Sequence, residues 1–133
     1  MARKLFIPGP IDVMPDVLEK MATPMIGHRG KDASALQESV SKKLQKLFYT
    51  ESEILLSTSS GSGLMEGAIR SCTSRKAAVF SCGAFGDRWY KMAVTNNVKA
   101  DLYNVHMGKA ITPEMEETAL TTRKNDFIAV KHN

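Results

Sequence analysis

The apolar positions change period along the chain, and the change separates helices from strands. Leu36, Val40, Leu44, Leu47 and Phe48 share one side of a 3.6-residue wheel, with Gln37, Ser41, Lys42 and Lys46 opposite; the spacing predicts a helix over residues 33–49. Val17, Leu18 and Met21 predict a shorter helix over 16–23, after Pro8, Gly9 and Pro10 stop any earlier element. From residue 54 the pattern alternates. Apolar runs at 54–58, 77–81, 100–105 and 127–130 predict strands, with helices at 64–72 and 85–95 between them. Thr112, Pro113, Glu114 and Glu116 mark one more helix start, with a capping hydroxyl, a proline at the first helical position and acids in the first turn.

The strand runs are short and lack clean alternation, as expected of strands covered on both faces. Repeated strand–helix units then imply an α/β fold with a mostly parallel sheet between two helical layers, a three-layer αβα arrangement with right-handed crossovers. Ligands of such folds sit outside the carboxyl ends of the strands. Residues 1–32 read as an N-terminal arm with one short helix, and residues 33–133 as the βα repeats. The chain stops directly after its last expected strand, at His132 and Asn133. A domain ordinarily closes with a covering helix or polar tail, so an incomplete domain is expected.

Composition narrows the classes. At 133 residues, 43% hydrophobic and 24% charged, the chain is large enough for one domain with one core, and its balance is that of an ordinary globular protein. The net charge is +4, yet Lys42, Lys43, Lys46, Arg70, Arg75, Lys76, Arg88 and Lys91 are interspersed with acids, so no nucleic-acid stripe is indicated. No apolar run approaches the roughly 20 residues of a membrane span, and no export signal is visible, so a cytoplasmic location is expected. Cys72 and Cys82 are expected to be buried free thiols, and His28, His106 and His132 have no ligand spacing, so no metal is expected.

The candidate chemistry centres on Ser59-Ser60-Gly61-Ser62-Gly63, which joins the run at 54–56 to the helical pattern beginning at Leu64. Small residues there let backbone N–H groups approach an anion, and the partial positive charge of a helix start favours phosphate. A nucleotide P-loop would need Lys and then Ser or Thr after Gly63, where Leu64 and Met65 stand. The dinucleotide fingerprint would need glycine at 66, where the chain has Glu66, with Gly67 one place late. A phosphate- or nucleotide-binding α/β domain without catalysis remains an alternative.

Four segments, in order, resemble the class V aminotransferases, fold type I pyridoxal-phosphate enzymes of the alanine–glyoxylate and serine–pyruvate kind. They are Phe6-Ile7-Pro8-Gly9-Pro10 with Met14-Pro15, Met25-Ile26-Gly27-His28-Arg29-Gly30, Ser59 to Glu66, and Gly83-Ala84-Phe85-Gly86-Asp87-Arg88. The resemblance covers nearly the whole chain and implies the N-terminal portion of that family's large, cofactor-binding domain. It implies that Ser60, Gly61 and Ser62 hold the phosphate of pyridoxal 5'-phosphate and that Phe85 stacks on its pyridine ring. It also implies that Gly9 lies near the substrate carboxylate, and that His28 and Arg29 approach a partner's active site across a dimer interface. An aromatic at 85 resembles the transaminase branch, since cysteine desulfurases stack a histidine there. A His-Arg pair such as His28-Arg29 binds the substrate phosphate in phosphoserine aminotransferases, so that alternative stays open.

The resemblance implies transfer of an amino group from a small amino acid, alanine or serine, to a 2-oxo acid such as glyoxylate or pyruvate. That chemistry needs a lysine amine and a carboxylate on the pyridine nitrogen, and in the family both lie beyond the length of this chain. Lys131 does not match the family's lysine and reads as an ordinary charged residue. The chain thus carries a partial cofactor site and no catalytic residue, and is expected to be inactive alone. Uncovered edges favour a homodimer or other association.

Overall fold

The computed structural model describes residues 4–7 and 9–131, so Pro8 and His132 of the motifs above lie outside the described residues. The chain divides into two compact units, Met1–Leu56 and Ser57–Asn133.

The first unit holds α1 (Pro15–Met21) and α2 (Lys31–Leu47). Both helices stand where the periodicity places them. Neither contains a buried residue, and Leu36 and Leu47 of the apolar stripe are exposed. The segment after α2 is tied back to it by two side chains: Gln45 Nε2 donates to the Ser52 carbonyl at 3.0 Å and Ser41 Oγ to the Ile54 carbonyl at 3.4 Å. The strand expected at 54–58 does not form. An apolar run becomes a strand only when a neighbour completes its ladder. No described strand pairs with this one, and Leu55 is left 84% exposed.

The second unit contains α3 (Gly61–Cys72), β1 (Ala77–Ser81), α4 (Ala84–Thr95), β2 (Ala100–Asn104), α5 (Pro113–Thr121) and β3 (Phe127–Ala129). The three strands form a parallel sheet in the order β2-β1-β3, with Ala77 opposite both Ala100 and Phe127. This is the expected α/β architecture in partial form. The central strand is buried at all five positions. Its side chains alternate between two apolar clusters: Ala77 and Val79 meet Ala129, Trp89 and Phe127 on the α4 face, while Ala78 and Phe80 meet Ala119, Met115 and Ile128 on the α5 face. Both faces being apolar is why β1 shows no period-two pattern in sequence. Phe80 also stacks on Tyr103 of β2, ring centroids 4.8 Å apart at 16°. Full burial of such a side chain contributes about 1.5–3 kcal/mol.

Asp126 clamps the start of β1 to the start of β3. Its Oδ2 accepts from the Ser74 hydroxyl (2.6 Å) and from the Ser74 and Arg75 amides (3.1 and 2.8 Å), and its Oδ1 from the Lys76 amide (3.1 Å). The Ser74 hydroxyl, with these amides, holds the carboxyl far below the ordinary aspartate value. The two cysteines differ from expectation. Both are free, but Cys72 is exposed, because it ends α3, whose one buried residue is Ile69, and Cys82, just past β1, is only half-buried. No helix among the described residues is long and apolar enough to cross a membrane.

Candidate functional site

The serine-glycine segment is a helix start rather than a free turn. Helix α3 begins at Gly61, three residues earlier than the apolar pattern indicates. The cause is the cap: Ser60 is extended (φ −67°, ψ 158°), and its Oγ accepts the Gly63 N–H at 3.2 Å while its carbonyl accepts the Leu64 N–H at 3.1 Å. The Gly61 and Ser62 amides belong to the first turn and have no acceptor within the helix. A Cβ on Gly61 would meet nothing within 4 Å, so the helix start is open beside Gly61. Gly63 is different. A Cβ there would lie 2.7 Å from Ser59 Oγ, so a larger residue at 63 would make the Ser59 side chain move.

The first turn of α4 supplies the second half of the site. Gly86 presses its Cα against the last residue of β1; a Cβ at 86 would lie 2.5 Å from Ser81 Cα and Oγ. The buried Ser81 hydroxyl lies 2.6 Å from Asp87 Oδ1 and 3.0 Å from the Gly83 carbonyl. It has one proton, and the shorter contact to a charged acceptor takes it. Phe85 and Arg88 therefore project from a turn pinned to the sheet on both sides. Phe85 is 41% exposed. The Arg88 Cζ lies 5.3 Å from the Phe85 ring centroid, and Arg88 Nη1 donates to Ser62 Oγ at 3.2 Å, which joins α4 to the start of α3. Lys131, two residues beyond β3, brings its Nζ to 4.5 Å from the same ring centroid.

Arg88 thus links Ser62, at the start of α3, to the Phe85 ring. Free amides, the positive end of α3, a guanidinium and an ammonium converge beside one exposed aromatic ring. Such a set suits an anion attached to a flat ring. Arg88 and Lys131 have no functional role in the sequence reading. The i, i+3 spacing of Phe85 and Arg88 is a signal that could have found the first; the position of Lys131 at the carboxyl end of a strand could have found the second.

Gly9, His28 and Arg29 belong to the first unit. Gly9 is in an exposed bend where a Cβ would meet nothing within 4 Å. His28 lines a cavity of about 350 Å³ with Ile26, Ala33, Leu36, Val40 and Leu56. Arg29 is exposed in the turn before α2.

Known proteins are similar to this chain in sequence and in fold. An uncharacterized aminotransferase of Methanocaldococcus jannaschii is 40% identical over 97% of this chain and 34% of its own length. The serine–glyoxylate aminotransferase of Methylorubrum extorquens is 30% identical over 97% of this chain and 34% of its own. The crystal structure of an alanine–glyoxylate aminotransferase from Nostoc sp. superposes with a TM-score of 0.81 over 96% of this chain and 37% of that one; at 22% identity this shows the fold. The chain spans about a third of the length of the curated relatives it matches. No protein-family model matches it.

Proposed function

We propose that this chain, which is homologous to class V aminotransferases over their N-terminal third, forms the phosphate- and ring-binding part of a pyridoxal-phosphate-dependent aminotransferase. The observation that carries the proposal is the convergence of the open α3 amides, the Arg88 guanidinium and the exposed Phe85 ring. These residues fit the cofactor. The Gly61 and Ser62 amides and the Ser62 hydroxyl would hold the phosphate, with Arg88 opposing its charge, and Phe85 would offer its face to the pyridine ring. The chemistry such a cofactor supplies is an electron sink for the α-carbon of a bound amino acid.

The reaction proposed for the whole protein is transfer of an amino group from a small amino acid, alanine or serine, to a 2-oxo acid such as glyoxylate or pyruvate. The chain's own residues bind and orient; none of them moves the proton. On that reading the chain alone binds pyridoxal 5'-phosphate weakly and does not transaminate, and it works within a homodimer. Gly9, His28 and Arg29 are proposed to serve the substrate side.

The test is a fluorescence titration of the chain with pyridoxal 5'-phosphate, beside Gly61→Val and Arg88→Ala. Gly61→Val should abolish phosphate-dependent binding by placing a branched side chain at the helix start, and Arg88→Ala should weaken it about ten- to a hundredfold, the usual cost of one charged hydrogen bond. Binding unaffected by both substitutions refutes the site. Tight binding of an adenine nucleotide that survives Phe85→Ala but not Gly61→Val would instead identify a nucleotide-binding domain.

A further inference from the structure

We propose that Lys131 is a displaceable cap on Phe85: its ammonium covers the ring on which a flat, phosphorylated ligand stacks, and it departs when that ligand binds. The inference rests on the cofactor reading above and adds to it a competitor built into the chain.

Two cations approach the ring, and they are held differently. Arg88 is anchored, because its guanidinium also donates to Ser62 Oγ at 3.2 Å. Lys131 has no such anchor among the described residues. Its Nζ stands 4.5 Å from the ring centroid, inside cation–π range, and among the described residues it makes no hydrogen bond or ion pair. Its flexible four-carbon stem lets the ammonium leave at little cost. Phe85 is partly exposed, with 41% of its surface open, and a ring that stacks on it needs an open face. Ammonium and ligand ring therefore compete for the same aromatic surface.

The competition has a definite size. An exposed cation–π contact corresponds to about a two- to fivefold effect on an equilibrium, so removing it should improve ring stacking by that factor. Removing Lys131 also removes a positive charge near the phosphate, which weakens every anion alike. The quantity that isolates the cap is therefore a ratio: affinity for pyridoxine 5'-phosphate, which has the ring and phosphate but no reactive aldehyde, over affinity for inorganic phosphate.

The experiment measures that ratio by titration for the chain, for Lys131→Met and for Phe85→Leu. Alongside, NMR follows the Lys131 side-chain methylene protons, which a ring below them shifts upfield. The expected result is a ratio about two- to fivefold higher in Lys131→Met than in the unaltered chain. The upfield shift should vanish in Phe85→Leu and on saturation with pyridoxine 5'-phosphate, and persist in saturating inorganic phosphate. An unchanged or lower ratio in Lys131→Met, or an upfield shift that survives saturation with pyridoxine 5'-phosphate, overturns the cap and leaves the cofactor site standing. A ratio near one in the unaltered chain that Phe85→Leu does not alter overturns the cofactor reading, and the cap with it.

Discussion

Gly86→Ala should destabilise the second unit and loosen the site above it, although alanine is the better helix former. Gly86 lies in the first turn of α4, and a methyl group there would stand 2.5 Å from Ser81 Cα and Oγ and 2.6 Å from Ser81 Cβ. A rotamer change does not relieve the clash, because one of the atoms met is backbone of the central strand. Helix α4 must move off the sheet. Overpacking of this kind costs about 1–3 kcal/mol, and stretching the 2.6 Å Ser81–Asp87 hydrogen bond forfeits up to about 1.5–3 kcal/mol more. The helical preference for alanine returns only about 1 kcal/mol. The net loss is about 2–4 kcal/mol, or about 10–30 °C in Tm for a unit of this size.

Urea denaturation followed by the fluorescence of Trp89 reads the effect, since this single tryptophan packs on Phe127 across the α4 face, centroids 5.9 Å apart. Gly67→Ala is the matched control. Gly67 lies within α3, is exposed, and a Cβ there meets nothing within 4 Å, so the same change should stabilise by about 0.5–1 kcal/mol. The two substitutions must carry opposite signs. A Gly86→Ala chain as stable as the unaltered one would refute the close approach of α4 to Ser81, and with it the account of what holds Phe85 and Arg88 in place.

Ser60→Ala should cost about 1 kcal/mol and Ser60→Gly only a few tenths, measured by thermal unfolding; equal losses would show that the Ser60 hydroxyl does not cap α3. Phe80→Ala should cost about 3–5 kcal/mol in a urea titration, because the ring is fully buried and stacked on Tyr103; a loss below about 1 kcal/mol would remove β1 from the centre of the core. Asp126→Asn should lower Tm at neutral pH, and the difference from the unaltered chain should shrink in acid. The native carboxyl is held far below its unfolded value of about 4. Its stabilisation is therefore complete above that value and is lost as pH falls through the depressed native one. A difference in Tm that stays constant from neutral pH to below pH 4 would refute this (about 4 being the unfolded value).

What the sequence made legible and what it hid divide along one physical line, the range over which each interaction acts. Every helix among the described residues was visible, and so were the strands at 77–81, 100–105 and 127–130, all to within a residue or two except the start of α3, because amphipathic period and buried apolar runs are local signals. The run at 54–58 carried the same local signal and formed no strand, since a strand's hydrogen bonds belong to its neighbour and no local pattern reports whether one is there. The start of α3 was misplaced for a related reason. A search for apolar residues begins the helix at Leu64, whereas the Ser60 cap begins it at Gly61.

The same line runs through the site. Ser60, Gly61, Ser62 and Phe85, proposed to hold the cofactor, could be named because they stand in short contiguous segments that resemble a known family. Arg88 contacts Ser62, 26 positions away, and Lys131 contacts Phe85 from beyond β3; α4 beside α3 makes the first contact, and β3 parallel to and beside β1 makes the second. Charges placed by topology rather than by motif decide whether the aromatic ring is bare or covered. That is why the ring's availability, and not the presence of the serine-glycine segment, is what titration of the Lys131 and Phe85 variants has to measure.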